Sequence, residues 1–301
     1  MTKELSRKKT VLPNEASWLR WLAFIVVHII IGTLISLPFE FLVYFEVPFI
    51  TQSLGKLTET IRLLNQFFGL FIGAVICLRL IAKTTVRDFI YGVGGKGNSK
   101  QNLTVIGLYL LGMLLSVLPF IGNITVREFS ASEYLISLLF VVAFTWMQTS
   151  WEEIIFRGIF IRFACKNNIS CTTKAVVWGI ISSLLFMAMH LSNPEVLTQS
   201  GFQFILSCLP YFLSGMGLYF ANIYFKSLMP GLIIHWINNF LNFTLITSVV
   251  SAGGFPSLFV DNTPPTGLYY LITTVVCYIP LYVYIVINLL KKRKESKTLE
   301  N

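Results

Sequence analysis

Ionisable side chains are scarce in this sequence. Only 12% of the 301 residues are Asp, Glu, Lys or Arg, about half the fraction in a typical soluble domain. Apolar residues make up 55% of the chain, and they come in runs too long for the strands and helices of a globular protein. This composition excludes a soluble α/β enzyme, a disordered protein and a coiled coil. It predicts a polytopic integral membrane protein.

Cysteine is also rare. The chain has five cysteines, an odd number, and no pair has the Cys-x-x-Cys spacing. The pattern therefore favours neither a disulfide framework nor a thiolate zinc site. No small-residue cleavage site follows the first apolar run, so we interpret that run as a retained helix and not as a signal peptide.

Eight apolar runs approach or exceed the roughly 20 residues that a helix needs to cross a bilayer. The runs do not alternate in polarity, which excludes a β-barrel. Backbone polar groups in lipid must be hydrogen-bonded within the protein, and a helix achieves this within each run. The sequence therefore predicts an all-α fold with about eight transmembrane helices. The runs are approximately 21–39, 63–82, 103–122, 134–164, 175–191, 201–225, 228–250 and 267–290.

The net charge of +9 has a topological explanation. If all eight runs span the membrane, 19 of the 23 Lys and Arg residues fall on one side. The positive-inside rule then predicts cytoplasmic N- and C-termini, and no nucleic-acid partner is needed. The expected organisation is a basic cytoplasmic segment (1–20), a membrane domain (21–290) with a catalytic core at about 134–250, and a basic cytoplasmic tail (291–301).

Two adjacent glutamates interrupt an otherwise apolar run. Glu153 and Arg157 are spaced i, i+4 and share a helix face, so they can neutralise each other. Glu152 is offset by about 100° on a helix and needs a partner on another helix. Ionisable groups inside a membrane are costly, which makes them functional candidates. The alternative is that both glutamates lie at the interface where their helix ends.

Two of the three histidines lie in other apolar runs that hold no Asp, Glu, Lys or Arg. Phe186 and His190 are one helical turn apart, and so are His235 and Asn239. Because buried polar groups must satisfy one another, we expect these residues and the glutamates to converge on one site. The remaining histidine, His28, is interpreted as structural.

Three ordered motifs carry a family resemblance: Glu-Glu-x-x-x-Arg, Phe-x-x-x-His and His-x-x-x-Asn, on successive membrane helices. This arrangement resembles the CPBP family of type II CAAX prenyl endopeptidases and their bacterial relatives, which are often described as bacteriocin-processing or Abi proteins. The resemblance implies an intramembrane endopeptidase, for which the family carries both a metalloprotease and a glutamate-protease interpretation. The matched positions are Glu152, Glu153, Arg157, Phe186, His190, His235 and Asn239.

Peptide hydrolysis needs an activated water, a stabilised oxyanion and a proton for the leaving amine. We predict Glu152 as the general base, His190 as the group that orients the water, and His235 with Asn239 as hydrogen-bond donors to the oxyanion. Supporting roles are predicted for three further residues, namely Glu153, Arg157 and Phe186.

Three alternatives stay open at this point. Glu152, His190 and His235 form a reasonable ligand set for zinc, with an open position for water. The same polar residues would also serve an ion- or proton-coupled transporter, and a catalytically silent immunity or scaffold protein could retain them. The expected partners are the lipid bilayer, here a bacterial plasma membrane, and a membrane-associated substrate. That substrate is either a CAAX-type protein or a bacteriocin or pheromone precursor.

Overall fold

The computed structural model describes residues 18–45, 58–91, 99–128, 130–165, 173–248 and 257–300. Most of the basic segment predicted at 1–20 lies outside these ranges. The described chain is built mainly from helices, and it includes a π-helix (Glu153–Ile159). The helices are α1 (Trp18–Tyr44), α2 (Thr58–Leu80), α3 (Val86–Tyr91), α4 (Ser99–Val117) with a 3₁₀ extension (Leu118–Asn123), α5 (Ala131–Glu152), α6 (Phe160–Cys165), α7 (Thr173–Met189), α8 (Pro194–Leu197), α9 (Gly201–Phe225), α10 (Met229–Thr244) and α11 (Gly267–Glu300).

The predicted class, an all-α polytopic membrane protein, is confirmed. Within the described ranges, 6 helical segments are long and apolar enough to cross a membrane. Two further helices are shorter: α7 has 17 residues and α10 has 16. At 1.5 Å per residue these two reach only about 26 and 24 Å, less than the roughly 30 Å of a bilayer core. The number of eight spans and the cytoplasmic termini stay predictions.

The sequence pattern did not predict a small sheet at one end of the bundle. The apolar run 228–250 was expected to be one helix, but α10 ends at Thr244 and a short strand follows it. Strand β3 (Phe259–Asp261) is the middle strand, antiparallel to β1 (Ile124–Val126) and parallel to β2 (Ile246–Ser248). The sheet thus ties together the ends of α4 and α10 and the segment that leads into α11.

The helix contacts surround the segment that carries the two glutamates. Helix α5 packs against α2 and α10, and the π-helix that continues α5 packs against α7 and α9. Helix α10 also packs against α4 and α9, and α11 packs against α4 and α9. The helices that carry the three motifs are therefore neighbours in space, although they are separated along the chain.

Close packing between α4 and α11 depends on a glycine. A Cβ atom added at Gly112 would overlap the backbone carbonyl of Cys277 on α11. By contrast, a Cβ at Gly107 on the same helix would meet nothing within 4 Å. Gly112, and not Gly107, therefore allows the close distance between α4 and α11.

We expect Gly112→Ala to lower the free energy of unfolding by about 1–3 kcal/mol, because the added methyl forces the helices apart. Gly107→Ala is the matched control, and it should leave stability unchanged or raise it by up to about 1 kcal/mol, because alanine is the better helix former. The measurement is unfolding of the purified protein in mixed micelles, followed by circular dichroism. Equal stability of the two variants would contradict this account of the α4–α11 contact.

Candidate active site

The two glutamates lie where the helix changes its hydrogen-bonding pattern. Glu152 is the last residue of α5 and Glu153 is the first residue of the π-helix. A π-helix has a wider turn with i→i+5 bonds, is rare, and occurs frequently at functional sites. The Ser182 hydroxyl on α7 donates a hydrogen bond to the carbonyl oxygen of Phe156. Helix α7 therefore satisfies a backbone acceptor of the wider turn.

The predicted pair of Glu153 and Arg157 is present. The distance from Oε1 of Glu153 to Nη1 of Arg157 is 3.2 Å, and both side chains are fully buried. The guanidinium carbon also lies 4.0 Å from the centre of the Phe186 ring, a cation–π contact that stabilises a buried cation. Phe186 on α7 thus contacts the charged pair directly.

His235 on α10 bridges the two glutamates. Its Nδ1 atom lies 3.0 Å from Oε1 of Glu153, and its Nε2 atom lies 3.4 Å from Oε2 of Glu152. Gln148, one turn earlier on α5, donates a hydrogen bond of 3.1 Å to Oε1 of Glu152. The sequence offered Glu152 no partner on its own helix face, and in the structure Glu152 contacts His235 on another helix.

The positions of the donors limit where the protons reside. Glu153 faces the Arg157 cation, so it is ionised, and Nδ1 of His235 donates its proton to that carboxylate. Nε2 of His235 faces Oε2 of Glu152 at 3.4 Å. A proton between these two atoms would leave the four groups with no net charge, an arrangement that burial favours.

His190 is held between two aromatic rings. Its Nδ1 atom lies 2.7 Å from the carbonyl oxygen of Phe186, and because a carbonyl only accepts, Nδ1 carries a proton, which makes Nε2 an acceptor in the neutral imidazole. The imidazole centre is 4.3 Å from that of Phe186 and 4.5 Å from that of Tyr211. The Phe186 ring also lies 5.7 Å from His235. Phe186 thus lies against both histidines.

Asn239 lies one turn beyond His235 on α10. Its side-chain oxygen accepts a hydrogen bond of 3.3 Å from Asn238, and among the described residues no hydrogen bond joins it to either glutamate. Its predicted role as an oxyanion donor stays a prediction. For His235, the same role requires that the contact between Nε2 and Glu152 opens, because both ring nitrogens face carboxylates.

Asn222 on α9 is a site residue that the sequence analysis missed. It is fully buried, and its amide nitrogen lies 3.3 Å from Oε2 of Glu153 as a donor. Its side-chain oxygen accepts a bond of 2.8 Å from the backbone N–H of Gly231. A side chain at position 231 would collide with this amide. The sequence feature that could have pointed to Asn222 is that it is the lone asparagine in a long apolar run without charged residues.

His28 connects α1 to the site and matches its structural interpretation. The indole N–H of Trp151 donates to Nε2 of His28 over 2.9 Å, and Nδ1 of His28 lies 3.2 Å from the carbonyl oxygen of Phe24. Both ring nitrogens of this buried histidine are therefore satisfied. The contact fixes the residue that immediately precedes Glu152.

The zinc alternative gains no support from the described geometry, and it stays a prediction. Among the residues that the structure describes, no group of three or more His, Cys, Asp or Glu side chains is placed to hold a metal ion. Nδ1 of His235 faces Glu153 at 3.0 Å, so Nε2 is the ring nitrogen that could bind a metal.

We expect Asn222→Ala to lower the free energy of unfolding by about 1–3 kcal/mol, because it leaves Glu153 and a backbone N–H without their buried partner. Asn288→Ala is the matched control, because that amide makes a hydrogen bond of 2.8 Å to Tyr284 in its own helix. Thermal unfolding of both variants in the same detergent gives the comparison. If Asn222→Ala costs no more than the control, the bridging role is wrong.

Comparisons with known proteins bear on the family resemblance. Residues 134–241 match the family model described as Type II CAAX prenyl endopeptidase Rce1-like. The chain is also 25% identical over 269 residues to the "Uncharacterized protein YyaK" of Bacillus subtilis (strain 168), an alignment that covers 83% of this chain and 86% of that protein. No solved structure gives a significant match. The predicted resemblance to the type II CAAX prenyl endopeptidases is therefore confirmed, and at the family level the match supports a multi-pass, CAAX-type intramembrane protease.

Proposed function

We propose that this protein hydrolyses a peptide bond of a membrane-associated protein or peptide, with Glu152 as the general base. The observation that carries the proposal is the buried series Glu152–His235–Glu153–Arg157, with contacts of 3.4, 3.0 and 3.2 Å. A carboxylate that faces an imidazole can take a proton and return it, and general acid–base catalysis needs both steps.

The reaction proceeds in two steps. Glu152 removes a proton from a water molecule, and the water oxygen bonds to the carbonyl carbon of the substrate as the carbonyl oxygen becomes negative. The carbon–nitrogen bond then breaks, the C=O double bond re-forms, and the leaving amine takes the proton from Glu152. The products are a carboxylic acid and an amine, so atoms and charges balance.

The neighbouring residues support this reaction in distinct ways. His190 has an acceptor at Nε2, which suits it to receive a hydrogen bond from the attacking water. Asn239 supplies an amide donor for the oxyanion, a type of contact that contributes strongly to such reactions. Glu153 and Arg157 hold His235 in the orientation that faces Glu152. We place the protein in a bacterial plasma membrane, where a CAAX-type protein or a bacteriocin or pheromone precursor is its substrate.

A proton-coupled transporter is the second candidate. The buried contact of 3.4 Å between Glu152 and His235 is the observation that favours it, because buried Glu and His side chains also form proton relays in transporters. The two functions differ in their products. A protease generates new peptide termini, and a transporter does not.

We expect Glu152→Gln to abolish cleavage, a loss of at least about 100-fold, because an amide cannot accept the proton of water. The measurement is mass spectrometry of membrane peptides from cells that carry the wild-type or the variant protein. Glu40→Gln is the matched control: Glu40 lies in the apolar helix α1, where it pairs with Arg62 at 2.9 Å, and its loss should leave cleavage unchanged. Identical peptides from wild-type and Glu152→Gln membranes would refute the protease.

A separate measurement addresses the metal. Purified protein should retain its cleavage activity after treatment with a strong chelator, and elemental analysis should find less than one zinc per chain, because in this proposal Glu152 activates the water without a metal. Activity that is lost with the chelator and restored by zinc would reverse this conclusion. A zinc protease treated in the same detergent is the control, and its loss of activity shows that the chelator works under these conditions.

A further inference from the structure

A second polar cluster lies next to the proposed catalytic residues, in the connection between α7 and α9. The hydroxyl of Tyr211 on α9 donates a hydrogen bond to the carboxylate of Glu195. It also accepts one of 2.9 Å from the amide of Asn193. Asn193 in turn lies 3.4 Å from Oε1 of Glu195. The three side chains form a closed triangle, which holds the phenol ring in one orientation.

The connection that carries this triangle is itself anchored. Val196 in the short helix α8 is fully buried, and the amide of Gln199 donates a hydrogen bond to the carbonyl oxygen of Pro265. Gln203, at the start of α9, accepts a bond of 3.3 Å from the backbone N–H of Leu268. The connection is thus tied to the segment that leads into α11.

The phenol ring of Tyr211 lies flat against His190. The two ring centres are 4.5 Å apart and the planes differ by 25°. His190 lies just beyond the end of α7, so its backbone is held by a turn, with a hydrogen bond of 3.0 Å to Met187, and not by continued helix. The bond from Nδ1 to Phe186 fixes one direction of the imidazole. The stack on Tyr211 fixes its plane.

We propose that Tyr211 is the positioning residue of His190, and that Asn193 and Glu195 serve to hold Tyr211 in place. This inference rests on the proposed function, in which Nε2 of His190 must face the attacking water. A misplacement of about 1 Å can cost about 100-fold in rate, so a ring at the end of a helix needs a second constraint. The phenol does not touch the substrate in this scheme and acts only through His190.

The kinetic test uses two substitutions at the same position. Tyr211→Phe keeps the ring and removes the bonds to Glu195 and Asn193, whereas Tyr211→Leu removes the ring. With a quenched-fluorescent peptide that ends in a farnesylated CAAX sequence as the probe, we expect kcat to fall by about 10–100-fold for Tyr211→Leu. For Tyr211→Phe and for Glu195→Gln the expected fall is smaller, about threefold to tenfold. KM should stay unchanged, because His190 acts on the water and not on substrate binding.

The matched control is Tyr282→Phe. It removes a phenol hydroxyl that donates a bond of 2.8 Å to the carbonyl oxygen of Gly217 on α9, the helix that also carries Tyr211. Its kcat should equal that of the wild type. A fall in kcat as large as that of Tyr211→Leu would show that general loosening of α9, and not the position of His190, lowers the rate.

A spectroscopic readout tests the positioning without any cleavage. The chain has only 3 histidines, so protein labelled with ¹³C at Cε1 of histidine gives few signals, and His28→Gln and His235→Gln assign them. The ring current of Tyr211 should shift the Cε1–H signal of His190 upfield. Tyr211→Leu should abolish that shift, and Tyr211→Phe should largely retain it.

The outcomes separate the two proposals. A wild-type protein that does not cleave the probe, with the His190 signal displaced only by Tyr211→Leu, would count against the CAAX-type activity and leave the stack in place. Wild-type kcat in Tyr211→Leu, together with an unchanged His190 signal, would overturn the positioning role and leave the protease intact.

Discussion

The pairing of buried ionisable groups is the constraint on which the rest of the structure depends. Two carboxylates, a guanidinium and an imidazole lie among apolar helices, where an isolated charge would cost many kcal/mol. They are tolerated because each charge faces an opposite charge or a hydrogen-bond partner, at distances of 3.0–3.4 Å. The helices must therefore meet in one arrangement, since any other would leave one of the four groups unpaired. Breaking a single contact is expected to affect both folding and chemistry.

The residues around the cluster extend this requirement to other helices. Asn222 brings α9 to Glu153 and also bonds the start of α10. Trp151, the residue before Glu152, bonds to His28 and so connects α1 to the site. Ser182 brings α7 to the π-helix. Polar contacts of this kind provide specificity in a membrane, where the hydrophobic effect does not distinguish one helix pairing from another.

The sequence predicted the helices and the main ionisable residues for a clear physical reason. Long apolar runs have few alternatives in a bilayer, and polar residues within them must converge, so the amino-acid pattern alone was enough to group Glu152, Glu153, His190 and His235. The family resemblance rests on the same residues. The sheet, the π-helix and Asn222 could not be predicted, because each depends on contacts between distant segments. A three-residue strand carries no periodic signal, and one asparagine in an apolar run does not indicate its partner.

The lengths of the helices have a consequence for the lipid around them. Helices α7 and α10 carry or lead directly into the two histidines of the site, and they have only 17 and 16 residues. If these helices span the membrane as predicted, they are shorter than the hydrocarbon layer, and thinning of the bilayer next to them is one way to accommodate short helices. Thinning would draw the headgroup region toward the buried carboxylates and shorten the path that water must cross. Membrane thickness is accordingly a physical variable that would act on this site, through the water supply to a reaction that consumes it.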